Sequence, residues 1–128
     1  MPGDKQRVLV VDDESSVVLL CNYVLGDAGY EVESATRAED AIELIQSRQY
    51  DAYLIDLVMP GGGGLQVIRA ARETSQATPL VVMTAEPEHL VPPRAGMDYY
   101  LHKPFAGLQA LENTVANAIA QGSRAKVA

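Results

Sequence analysis

At 128 residues the chain has room for one domain with one proper core, and not for a second. Hydrophobic content of 48% beside 21% charged residues excludes a disordered chain, and a net charge of −7 argues against nucleic acid as a direct partner, because phosphate contacts need a basic surface. No apolar run approaches the roughly 18 residues of a membrane span, Met1–Lys5 lacks the apolar core of a signal peptide, and the single cysteine, Cys21, cannot close an internal disulfide, so a cytoplasmic setting without membrane contact is expected.

Val8-Leu9-Val10-Val11 is a continuous apolar, β-branched run, as a strand buried on both faces requires, and it leads into Asp12-Asp13-Glu14. Ser15 and Ser16 supply N-cap chemistry for a helix carrying Val17, Leu20, Cys21, Val24, Leu25 and Ala28 at helical spacing, with Gly29 to close it. Cys21 among these apolar neighbours reads as a core residue. Tyr30–Ala35 alternates polar and apolar, the mark of a strand with one wet face at a sheet edge. Thr36-Arg37-Ala38-Glu39 has capping-box spacing and opens a helix with Ala38, Ala41, Ile42 and Ile45 inward.

Tyr53-Leu54-Ile55 forms a buried strand that delivers Asp56 to its C-terminal end, where the ligands of open parallel sheets sit. Gly61–Gly64 then break regular structure; four glycines pack almost nothing, which predicts a mobile loop. The run is not a P-loop, because no Gly-Lys-Ser/Thr follows it. Leu65, Ile68 and Ala71 recur at helical spacing, and Leu80–Met83 forms another apolar strand ending on Thr84. Three prolines, Pro87, Pro92 and Pro93, fall before the fifth strand, Tyr99-Tyr100-Leu101. An interior proline costs a helix about 3 kcal/mol, so this crossover should hold at most one or two turns within Pro87–Val91, with Pro87 in the first turn, and then run extended to Gly96. Leu108, Leu111, Val115, Ala118 and Ile119 line the last helix, with Gly122 after it.

Strands alternating with helices give a doubly wound parallel sheet with right-handed crossovers. The two wettest strands, the second and fifth, belong at its edges, which favours the flavodoxin-like order 2-1-3-4-5. Asp12, Asp13 and Asp56 then meet in one crevice, joined by Thr84 and Lys103. Three carboxylates so close repel one another unless a cation sits among them, and hard oxygen ligands without His or Cys point to Mg²⁺ or Mn²⁺. Acids, a hydroxyl and a lysine are the parts for handling a phosphoryl group, with a carboxylate able to act as nucleophile. His89 and His102 have no second His or Cys placed to join them and read as surface residues.

The motifs Val10-Val11-Asp12-Asp13-Glu14, Asp56-Leu57-Val58-Met59-Pro60, Met83-Thr84-Ala85 and Ala95–Phe105, in order at the ends of the expected strands, closely resemble the receiver domains of two-component response regulators. The resemblance implies a phosphoacceptor switch rather than a turnover enzyme: a (βα)5 receiver over residues 1–122, with 123–128 a tail or the start of a linker, and a short or irregular fourth helix. It implies Asp56 as phosphoacceptor, and Asp13, Asp56 and the Val58 backbone carbonyl as ligands of Mg²⁺, with Asp12 holding metal-bound water. It further implies Lys103 and Thr84 as contacts of the phosphoryl group, Tyr100 as the aromatic that turns as Thr84 moves, and a cis Lys103–Pro104 peptide. The implied partners are a histidine kinase or histidine phosphotransfer protein and a downstream effector protein or output domain. The alternative is a phosphorylation-independent binding module on the same fold, against which the intact acids, Thr84 and Lys103 count. A haloacid dehalogenase-type phosphatase would need Asp-x-Asp after the first strand and a cap domain, and this chain has neither.

Overall fold

The computed structural model describes residues 5–91 and 96–122. Five strands, β1 (Arg7–Val11), β2 (Glu31–Ala35), β3 (Ala52–Asp56), β4 (Leu80–Thr84) and β5 (Tyr99–His102), form one parallel sheet in the order β2-β1-β3-β4-β5. Its helices are α1 (Ser15–Asp27), α2 (Ala38–Ser47), α3 (Gly63–Thr74) and α4 (Leu108–Gln121). The pleat divides the core in two. Val8, Val10, Leu54, Val81 and Met83 point to the face that α1 and α4 cover with Cys21, Leu25, Leu111 and Val115. Leu9, Val11, Tyr53, Ile55 and Val82 point to the face that α2 and α3 cover with Ala41, Ile45, Val67 and Ile68. β3 and β4 are buried at every residue, whereas β2 and β5 are mostly half-buried, as edge strands with a wet face should be. Among the described residues no helix is long and apolar enough to cross a membrane.

The register places the candidate site residues. β1 pairs with β3 from Val8↔Ala52 to Val11↔Ile55, so Asp12 and Asp56 leave adjacent strands at the same sheet edge. β3 pairs with β4 through Asp56↔Met83, and β4 with β5 through Thr84↔His102, which brings Thr84 and Lys103 to that edge as well.

Several local expectations change. The N-cap of α1 is Glu14, so Ser15 lies inside the helix, and the N-cap of α2 is Arg37, with neither making a side-chain cap. The Thr36–Glu39 capping box does not form because Arg37, not Thr36, takes the N-cap, and the Glu39 carboxylate pairs with the Arg37 guanidinium at 2.9 Å. Gly29 does close α1, with φ of 102° and its N–H donated to Gly26 O at 3.0 Å. The glycine run is only partly a break. Pro60–Gly62 make one 3₁₀ turn around a left-handed Gly61 (φ 71°), and Gly63 and Gly64 begin α3 as buried, packed residues. With the helix beginning there, its inner face is Val67, Ile68 and Ala71, and Leu65 is exposed.

Among the described residues between β4 and β5 there is one 3₁₀ turn, Glu88–Leu90, after which Val91 is extended. Over Pro87–Val91 the crossover therefore holds one helical turn, within the one or two expected there, though Pro87 takes the N-cap position and not the first turn. Pro92 and Pro93, the remainder of the expected extended segment to Gly96, and the tail 123–128 lie outside the described residues. Arg72 anchors the far end of this crossover. Its guanidinium donates to Gly96 O and Thr78 O and pairs with the fully buried Asp98 carboxylate, which also accepts the Leu80 N–H at 2.8 Å.

Candidate functional site

Three strand ends supply the site. Asp12 follows β1 and is fully buried; its Oδ1 accepts the Glu14 N–H at 2.9 Å and its Oδ2 the Lys103 ammonium at 2.8 Å. Asp56 ends β3, also buried; its Oδ1 accepts the Val58 N–H at 3.0 Å and its Oδ2 lies 3.3 Å from Lys103 Nζ. Asp13 is exposed beside them, and one oxygen from each of the three acids lies within 4.8 Å of the others. Lys103 is held at its backbone by donation to Thr84 O at 2.9 Å, ahead of a cis bond to Pro104.

Burial, and then the charge of Asp12, push the Asp56 carboxyl up from 3.8 to about 6, against the pull of Lys103 and the Val58 N–H. Burial acts to lower the Lys103 pKa, but its hydrogen bond to Asp12 and the charges of Asp12 and Asp56 outweigh that and hold it above the ordinary lysine value. Beneath the site, burial pushes the Cys21 thiol to about 12, so it is an inert core group.

An all-oxygen acidic set with a mixed buried and exposed character suits a hard divalent cation such as Mg²⁺, and offers zinc no nitrogen or sulfur ligand. Lys103 meets part of this need with its own ammonium. Thr84 is buried at the same edge, and its Oγ1 accepts the Glu86 N–H at 3.1 Å. Tyr100 stands apart from the acids at the rim, donating its hydroxyl to Glu86 O at 2.6 Å. One peptide unit on each side of Glu86 thus links Thr84 to Tyr100, a connection with no sequence signal. The Val58 side chain is exposed, and its N–H serves Asp56. A groove of about 480 Å³ between β5 and α4, edged by Tyr100, Thr114 and Asn117, contains none of the three acids.

The family model of the response regulator receiver domain matches residues 8–116. This chain belongs to that family. The receiver domain is 41% identical over 103 residues to response regulator MprA from Mycolicibacterium vanbaalenii, an overlap of 78% of this chain and 45% of the relative. The chain spans less than half the length of the curated relatives it matches. A CheY-like receiver structure from Methanospirillum hungatei shares the fold at TM-score 0.84 and 22% identity, covering 92% of this chain and 96% of that one. The structure of response regulator protein TrrA from Thermotoga maritima in complex with Mg(2+)-BeF superimposes at TM-score 0.78 and 31% identity, covering 88% and 97%. Receiver domains are phosphoacceptor switches that carry an acidic metal pocket, and this receiver has the acids for one.

The raised Asp56 pKa has a stability consequence whose sign is fixed. The unfolded carboxyl ionises near 3.8 and the folded one near 6, so the folded receiver binds more protons across that window and loses stability as pH rises through it. In chelator at pH 7, Asp56→Asn should therefore melt above the parent, by on the order of 2 kcal/mol, and the gain should vanish below about pH 4. Added Mg²⁺ should stabilise the parent more than the variant. Thermal melts across this pH range, with and without Mg²⁺, check both; a variant no more stable than the parent at pH 7 contradicts the electrostatic account.

Proposed function

We propose that this receiver accepts a phosphoryl group on Asp56 from a histidine kinase or histidine phosphotransfer protein. The Lys103 ammonium, bridging Asp12 and Asp56 at 2.8 and 3.3 Å beside Asp13, is the observation that carries the reading. Asp13, Asp56 and the Val58 backbone carbonyl would hold Mg²⁺ (or Mn²⁺), with Asp12 holding its water. When bound, the cation offsets the carboxylate charges and those of the incoming phosphoryl oxygens.

The protein's own groups do the rest. The Asp56 carboxylate forms the new bond to phosphorus as the donor's leaving group departs with its electron pair. Lys103 Nζ, already charged and buried to 13% exposure, offers hydrogen bonds to the phosphoryl oxygens. The Thr84 hydroxyl supplies another once it rotates from the Glu86 N–H. That movement removes the acceptor of the Glu86 N–H, and Tyr100 is tied to the same residue's carbonyl, so the two side chains reorient together. The acidic composition favours a protein over nucleic acid as the effector. Residues 1–122 form the receiver unit, its setting is cytoplasmic, and the downstream partner is an effector protein or output domain.

Intact-mass and peptide mass spectrometry after incubation with phosphoramidate tests this. The parent should gain one phosphoryl group at Asp56 only with Mg²⁺ or Mn²⁺ present, and Asp56→Ala should gain none. Equal labelling of Asp56→Ala, or labelling unaffected by chelator, would refute the assignment.

A further inference from the structure

Glu14 occupies the N-cap of α1 without capping it; its carboxylate lies instead 3.4 Å from Lys103 Nζ. Short side chains such as Ser, Asp and Asn reach the first-turn N–H groups from that position, and glutamate is not among the preferred caps. Lys103 therefore meets three carboxylates. Asp12 and Asp56 are buried and hold the ammonium in place, while Glu14 is 62% exposed and contributes little to stability. Its position matters more. Together with Lys103 it edges a groove of about 370 Å³ whose remaining lining, which includes Val17, Leu20, Ala85 and Phe105, is apolar. Glu14 is far more exposed than Lys103, so a donor reaching Lys103 along this groove meets the Glu14 charge before it meets the ammonium.

We propose that Glu14 is a donor-selecting residue, favouring phosphoryl groups carried on a protonated nitrogen over acyl phosphates. The inference rests on Asp56 being the phosphoacceptor. With either donor an Asp56 carboxylate oxygen forms the P–O bond while the bond to the leaving group breaks with its electron pair, and nothing is oxidised or reduced. Phosphoramidate near neutral pH carries an ammonium on phosphorus and releases ammonia. Acetyl phosphate is a dianion without positive charge and releases acetate. Glu14 attracts the first donor's ammonium, repels the second donor, and screens part of the Lys103 charge from both.

The experiment compares initial rates of Asp56 labelling by acetyl phosphate and by phosphoramidate in the parent and Glu14→Gln, each with Mg²⁺ raised until the rate no longer responds. Glu14→Gln should be labelled about fivefold faster by acetyl phosphate, the weight of one exposed charge a few ångströms away, and no faster by phosphoramidate. The change in the ratio should shrink at high salt. Glu73→Gln, which removes the same charge from the exposed end of α3, should leave the ratio alone. An unmoved ratio in Glu14→Gln, an equal shift in Glu73→Gln, or a fall of both rates together with a lowered melting temperature overturns the selection. A parent labelled by neither donor overturns the phosphoacceptor reading and the selection with it, whereas a labelled parent with an unmoved ratio overturns the selection alone.

Discussion

Gly64→Ala should lower the melting temperature by about 10 °C, a loss on the order of 3 kcal/mol. A Cβ built on Gly64 would lie 2.1 Å from Leu57 O and 2.5 Å from Asp56 O. Both obstacles are backbone, so no rotamer change relieves them. Either α3 moves off the sheet, opening its contact through Val67 and Ile68, or the peptides that carry Asp56 rotate. The second route would also misplace the Asp56 carboxylate, so Mg²⁺ stabilisation of the variant should be weaker than that of the parent. Gly26→Ala is the control, because nothing lies within 4 Å of its Cβ and the residue is helical. It should be neutral or stabilising by about 0.5–1 kcal/mol. Chemical and thermal unfolding measure both, and a Gly64→Ala melt within a degree or two of the parent would show that the helix start is not wedged against β3.

Arg72→Met should cost about 3 kcal/mol, because it takes the guanidinium away from the buried Asp98 carboxylate. The Asp98 side chain is fully buried, and Arg72 is 11% exposed. Methionine fills much of the arginine's apolar stem but returns none of its hydrogen bonds to Gly96 O, Thr78 O and Asp98. Adding Asp98→Asn should recover part of the loss, since the neutral amide can still accept the Leu80 N–H. A double-mutant cycle in denaturant gives the coupling directly. Additive losses would show that the pair is not coupled. The labelling of Asp56 should survive Arg72→Met at temperatures where the chain is folded, because the clamp lies at the opposite end of β4 from Thr84.

What the chain's sequence determined by itself is the part governed by local pattern. Continuous apolar runs such as Val8–Val11 and Leu80–Met83 read as strands buried on both faces, and the wetter Glu31–Ala35 and Tyr99–His102 as edges, and the structure has them so. Those readings favoured the strand order that the sheet has, and with it the meeting of Asp12, Asp13 and Asp56 at one edge. The single turn over Glu88–Leu90 was legible too, since no more than one or two turns were expected within Pro87–Val91. Tertiary structure alone decided the remainder, because those contacts join residues far apart in the chain. Arg72 and Asp98 lie 26 positions apart, and Lys103 and Glu14 lie 89 apart. Gly64 reads as a loop breaker until the helix it begins is set against the carbonyls of Asp56 and Leu57, where only a residue without a Cβ fits. The expected caps failed locally instead: α1 starts one residue early, with Glu14 at its N-cap, and α2 starts from Arg37, which takes Thr36 out of its capping position.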